Sequence, residues 1–98
     1  MENNEQRSFG RYGDQRREYL EKYRPAQYLS LSKNGTLEQH LAEREAASSK
    51  WILQNMKKTL RRYPCPDDAA GMARWLAEMS ELFRGAEETV WWMYIFGD

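Results

Sequence analysis

Residues 37–63 contain neither proline nor glycine, and Thr36-Leu37-Glu38-Gln39 at their head fits a capping box, a hydroxyl at the N-cap with Gln three residues on. Such a run predicts a helix of roughly 40 Å at 1.5 Å per residue. In a chain of 98 residues, one helix of that length decides the architecture, because everything else must pack along it or beyond it. Its apolar positions are Leu37, Leu41, Ile52, Met56, Leu60 and Tyr63, with Trp51 and Leu53 beside them. Between Ala42 and Ser49 the stripe thins to alanines, which predicts shallower packing or an edge there. Glu38 near the start and Lys57, Lys58, Arg61 and Arg62 near the end suit the helix dipole.

Pro64-Cys65-Pro66 then breaks the run, and Asp67 or Asp68 is placed to cap a second long helix. Its stripe is the cleanest in the chain: Met72, Trp75, Leu76, Met79, Leu82, Phe83, Ala86, Val90 and Met93 recur at steps of three and four with two adjacent pairs. Past Val90 the side chains are apolar on nearly every side, and a helix end of that kind must be covered. Two short helices are available as cover. Asp14 is a good N-cap for a helix over 14–23, Pro25 suits the first turn of another over 25–33, and Asn34-Gly35 is a strong stop. Residues 1–9 read as a loose tail and 10–98 as one helical domain, with helices at about 14–23, 25–33, 37–63 and 67–96. No period-two alternation marks a strand. The fold class expected is all-α: a long antiparallel helical hairpin with two short N-terminal helices packed at its open end.

Four Trp, six Tyr and three Phe argue against intrinsic disorder. No apolar stretch approaches the roughly 20 residues of a membrane span, and the start lacks the basic head and apolar segment of a secretory signal. A cytoplasmic location is the default expectation, consistent with a lone Cys65. Catalysis finds little footing. A metal site needs more than one His and one Cys at ligand spacing, and here His40 and Cys65 are far apart. Cys65 has basic neighbours and a helix start nearby, but no histidine adjacent in sequence. Glu78, Glu81, Glu87 and Glu88 fall opposite the apolar stripe, as solvated acids do. No phosphate loop or nucleophile elbow occurs. We expect no enzyme, no metal and no cofactor.

Binding is the better expectation. Residues 1–63 hold 13 Lys+Arg against 8 Asp+Glu, and residues 64–98 hold 2 against 7. The basic residues fall in two clusters, Arg7, Arg11, Arg16 and Arg17 near the front, and Lys57, Lys58, Arg61 and Arg62 at the end of the first long helix. Brought together, they would grip phosphates and bind in a salt-dependent way. The run Val90-Trp91-Trp92-Met93-Tyr94-Ile95-Phe96 serves as core or as an aromatic contact surface. Candidate partner-binding residues are therefore Arg11, Arg16, Arg17, Lys57, Lys58, Arg61, Arg62, Trp91, Trp92, Tyr94 and Phe96.

Tyr12-Gly13, Tyr19-Leu20 with Arg24, Tyr28, Leu31, then Gly35, Leu37 and His40-Leu41 form a spaced series. That series resembles the TnpV proteins of transposons and conjugative elements of Gram-positive bacteria, and Met79 through Ala86-Glu87-Glu88 looks like the end of that family. The resemblance implies an accessory protein of a mobile genetic element and no transposase chemistry. Small accessory proteins of such elements often act against host defences. By that analogy, and by its size, the chain is expected to have a protein or ribonucleoprotein partner, a CRISPR effector nuclease included, and so to be an anti-CRISPR-type inhibitor. A DNA- or RNA-binding accessory factor, and a homodimer paired through the C-terminal aromatics, are the alternatives.

Overall fold

The computed structural model describes residues 8–97, which form four α-helices and no strand. They are α1 (Arg11–Tyr23), α2 (Pro25–Lys33), α3 (Leu37–Arg62) and α4 (Ala69–Val90), the last continuing into a π-wound segment, Trp91–Ile95. Helix α3 and α4 run antiparallel. Arg44, early in α3, donates to the carbonyl of Tyr94, while Trp75, early in α4, donates to that of Tyr63 just past the end of α3. The expected tail over residues 1–9 falls mostly on residues 1–7, outside the described residues.

Local chemistry sets the helix ends. Asp68 caps α4, its carboxylate accepting from Gly71 N at 2.7 Å. Gly35, at φ +74°, closes α2: its N–H donates to Ser32 and that of Thr36 to Leu31, the paired bonds of a Schellman motif. Two expected caps differ. Helix α1 starts at Arg11, and Asp14 sits inside it, its carboxylate accepting from Phe9 N and Ser8 Oγ of the incoming loop. Thr36 precedes α3, but its hydroxyl turns back to the Leu31 carbonyl and Gln39 donates to Glu43, so no capping box forms.

The N-terminus of α1 is capped instead from another helix. Glu45 of α3 reaches across with one carboxylate oxygen to Tyr12 N at 2.8 Å and Gly13 N at 3.0 Å. Two glycines make room. Gly10 has φ +95°, and a Cβ there would lie 2.5 Å from the Glu45 carboxyl carbon; a Cβ on Gly13 would lie 3.1 Å from the Leu41 carbonyl. Helix α1 thus comes close to α3 at Leu41 and Glu45, and Leu41 and Ser48 are the buried residues of α3. Within the alanine-thin stretch Ala42, Ala46 and Ser49 are exposed and Ser48 alone is buried, as shallower packing predicts.

Val90 and Ile95 are buried with Tyr12, and Tyr19, Trp51, Ile52, Trp91 and Tyr94 pack around them. The sequence pattern ends the stripe of α4 at Met93, yet Met93 is exposed and Ile95 is buried. The cause is the π-winding: bonds from i to i+5 insert an extra residue per step and bring Ile95 round beneath Val90. All of this lies at one end, the hub. The other end is a two-helix arm, and the molecule measures 55 × 32 × 19 Å. Its radius of gyration is 17.3 Å, against about 13 Å for a compact domain of this size.

Candidate interaction surface

The sequence-predicted basic residues separate. Arg16 is fully buried in the hub: its guanidinium donates to the carbonyls of Ile95 and Gly97, and its Nε to His40 Nε2 at 3.0 Å. It satisfies carbonyls at the end of the π-wound segment, so its assignment to a partner surface is corrected. His40 accepts that bond as a neutral imidazole, and burial, then the Arg16 and Arg44 charges, hold its pKa below the usual histidine value. Arg11 pairs with Glu87 at 2.8 Å, and Arg17 lies over the Phe9 ring. Glu87, expected in solvent, is buried between Arg11 and the Tyr12 hydroxyl. Burial, then the Glu87 carboxylate, pushes the Tyr12 hydroxyl up to about 12.

Lys57, Lys58, Arg61 and Arg62 are exposed near the far end of α3, with Arg62 over the Tyr63 ring. Along α3, Arg61 is about 24 Å from Glu45, the contact point of α1. The fold thus holds Arg11 and Arg17 apart from the second cluster, and Arg7 lies outside the described residues. The joint phosphate grip does not form.

The C-terminal aromatics divide between core and surface. Trp91 is half-buried, its indole N–H donating to Gln15, and Tyr94 packs on the hub with its carbonyl taken by Arg44. Trp92 is 73% exposed, and Phe96 stands partly in solvent against the rings of Tyr19, Trp91 and Trp92. Tyr19, Tyr23, Trp91, Ile95 and Phe96 line a shallow cleft of about 290 Å³.

A second set of exposed apolar side chains is on the arm, where the sequence pattern predicts core. Leu53, Leu60, Tyr63, Met72, Leu76 and Leu82 are all exposed, Leu53 and Leu76 by more than half. Each helix of the arm has one neighbour, and an amphipathic stripe wider than one contact leaves its flanks in water. The signal for this was the helix lengths: short helices of 13 and 9 residues cannot cover partners of 26 and 22. Where exposed apolar side chains adjoin one another, such surface marks interaction sites.

Among the described residues no group of three His, Cys, Asp or Glu side chains is placed to hold a metal, and no helix is long and apolar enough to cross a membrane. Cys65 is exposed in the turn between α3 and α4. No curated protein and no solved structure matches the chain. A protein family does: the transposon-encoded proteins TnpV, matched over residues 1–94. The resemblance carried by Tyr12-Gly13, Tyr19-Leu20 and His40-Leu41 therefore extends along almost the whole sequence, and the chain belongs to the TnpV family of transposon-encoded proteins.

Proposed function

We propose that this chain is a non-enzymatic interaction protein of its mobile element, one that uses the arm to hold a protein or ribonucleoprotein partner. The observation that carries the reading is the contrast between the ends. A hub fixed by Arg16, Glu45 and Glu87 braces an arm whose leucines have no cover. Rigid presentation of apolar side chains lowers the ordering cost of binding. The sharpest version of the reading, drawn from analogy with other small accessory proteins of mobile elements, is an anti-CRISPR-type inhibitor of a host-defence nuclease. The test is capture of purified CRISPR effectors and of the element's own proteins on the immobilised chain, with a nuclease cleavage assay alongside. A partner retained by the parent chain and lost on Leu53→Asp with Leu76→Asp supports the role. Inhibition of cleavage supports the nuclease version, and retention of no partner from either set removes the reading.

A nucleic-acid accessory factor would require the phosphate contacts to act from the far cluster alone. Affinity for short duplexes at two salt concentrations checks it, because phosphate contact requires a steep loss at high salt.

A further inference from the structure

Helix α1 reaches α3 at Glu45 and α4 at Glu87, so it lies over one side of the α3–α4 pair. At 3.6 residues per turn, Leu53, Met56 and Leu60 fall within about 80° of Glu45 around α3, and Met72, Leu76 and Phe83 within about 60° of Glu87 around α4. The side that α1 covers at the hub thus continues along the arm as a groove without a third helix. Leu53, Leu60, Met72 and Leu76 are exposed in it, while Met56 and Phe83 are half-buried.

The two rims of this groove differ in charge. On the α3 rim stand Lys50, Lys57 and Arg61, exposed and spaced by seven and four residues, so they form one line. Residues 46–63 contain no acid. No hydrogen bond or ion pair engages these three cations among the described residues. Along residues 73–80 the α4 rim is small and uncharged where it faces outward, with Ala73, Ala77 and Ser80 all exposed; Arg84, next on that line, pairs with Glu81. Small residues let another helix backbone approach closely. On α4, Glu81 lies on the side opposite Met72, about 180° around the helix, and Glu78 about 120° away.

We infer that the groove between α3 and α4, beyond α1, is the docking site for an amphipathic helix of a partner protein, with acidic residues along the edge that meets Lys50, Lys57 and Arg61. From Lys50 to Arg61 the rim is about 16 Å long, which matches three turns of the incoming helix. Such a helix seats apolar residues on Leu53, Leu60 and Leu76, the helix-in-groove mode with a charged edge fixing its direction. A second copy of this chain is a poorer occupant, because the same groove supplies cations but no outward acid to meet them. A nucleic-acid backbone is poorer too, because it leaves the leucines in water.

This inference rests on the proposed interaction role and narrows it to one surface. The probe is a stapled amphipathic peptide of about four turns, with leucines on one face and glutamates along one edge, and a counterpart with lysines in place of the glutamates. Binding is read by fluorescence anisotropy on the full chain. The glutamate peptide is expected to bind at least about tenfold more tightly than the lysine peptide. Lys50→Glu with Lys57→Glu and Arg61→Glu should invert that preference, and Leu53→Ser with Leu60→Ser and Leu76→Ser should abolish binding while circular dichroism stays unchanged. Equal affinity for the two peptides, or an unaltered preference after charge reversal, overturns the proposal. So does a concentration-dependent dimer that excludes the peptide, or displacement of the peptide by short duplex DNA. A partner captured by the parent chain that stays on both variants would overturn the groove and leave the interaction role intact. Peptide binding as expected with no partner captured would do the reverse.

Discussion

The first half of α3 is polar and alanine-rich yet holds the two buried residues of that helix, Leu41 and Ser48, while Leu53 and Leu60 in its second half are exposed. Burial along this helix follows the arrival of a third element rather than local apolarity. Where α1 arrives, Leu41 and Ser48 are buried and Glu45 becomes a cap; where nothing arrives, Leu53 and Leu60 face solvent. Polar groups hold the hub together because they are paired there. The arm is left as apolar surface available for contact.

The hub side of this comparison breaks most readily at Arg16. Replacing it with Ala removes the donors to Ile95 and Gly97 and the bond to His40, leaving buried acceptors without partners. We expect a loss of about 3 kcal/mol, since hydrogen bonds to charged groups contribute about 1.5–3 kcal/mol each. Leu41→Ala, at a fully buried position, should cost a similar amount, within the range of about 2–5 kcal/mol for core leucines. Urea denaturation followed by circular dichroism measures both. A loss under about 1 kcal/mol for each would show that the hub does not depend on these contacts.

Gly10→Ala comes next, at about 2 kcal/mol. The new methyl must adopt a positive φ and also displace the Glu45 carboxylate, which frees the capped N–H groups of Tyr12 and Gly13. Gly35→Ala separates the two contributions, because Gly35 shares a positive φ and has open space around it. The alanine at Gly35 should cost about 1 kcal/mol, the backbone part alone. Equal losses at the two positions would mean that the Glu45 cap contributes nothing.

Much of the fold was legible in the sequence. Helix type, the turn at Pro64, the cap at Asp68 and the stop at Gly35 all follow from local rules, and local rules are what a sequence displays. The illegible part was long-range. Nothing near Gly10 names Glu45 as the cap, and nothing near Arg16 names Ile95 and Gly97 as its acceptors, because those partners are brought close only by tertiary packing. Glu87 follows the same pattern, since its helical position suggests solvent until α1 covers it. The two glycines around Arg11-Tyr12 were the available signal. Read as breakers, they are in fact the close approach of one helix to another. The candidate surface was half legible: Lys57 and Arg61 stand out as cations, but Leu53 and Leu60 beside them read as core.

A smaller, pH-dependent effect sharpens the hub side. His40 accepts a bond from Arg16, faces Arg44 as well, and has a pKa held below its unfolded value of about 6.5, with Glu43 opposing. The unfolded chain then binds more protons than the folded one just below pH 6.5. Stability is therefore fully present above pH 6.5 and lost as the pH falls through the folded value. Tyr12 acts at the other extreme: its folded value is about 12, so its contribution is present below pH 10 and lost between 10 and 12. His40→Gln should flatten the acid slope near neutrality, and Tyr12→Phe the alkaline one. Urea midpoints across pH test both, and an unchanged slope in either variant would remove that residue from the account.

The smallest expected effect belongs to the arm and is the most informative about function. Leu53→Ala and Leu60→Ala remove exposed side chains, so each should change stability by no more than about 0.5 kcal/mol, the usual range for surface positions. The same chemical change made at Leu41 should cost several times more, although the three leucines lie on one helix. If the arm leucines proved as costly as Leu41, they would be covered in solution, by a second copy or by a rearranged α2, and the arm would belong to the core. If they are nearly silent in stability but weaken partner capture, burial of those side chains occurs on binding. That outcome separates a surface held for recognition from one that merely completes a fold.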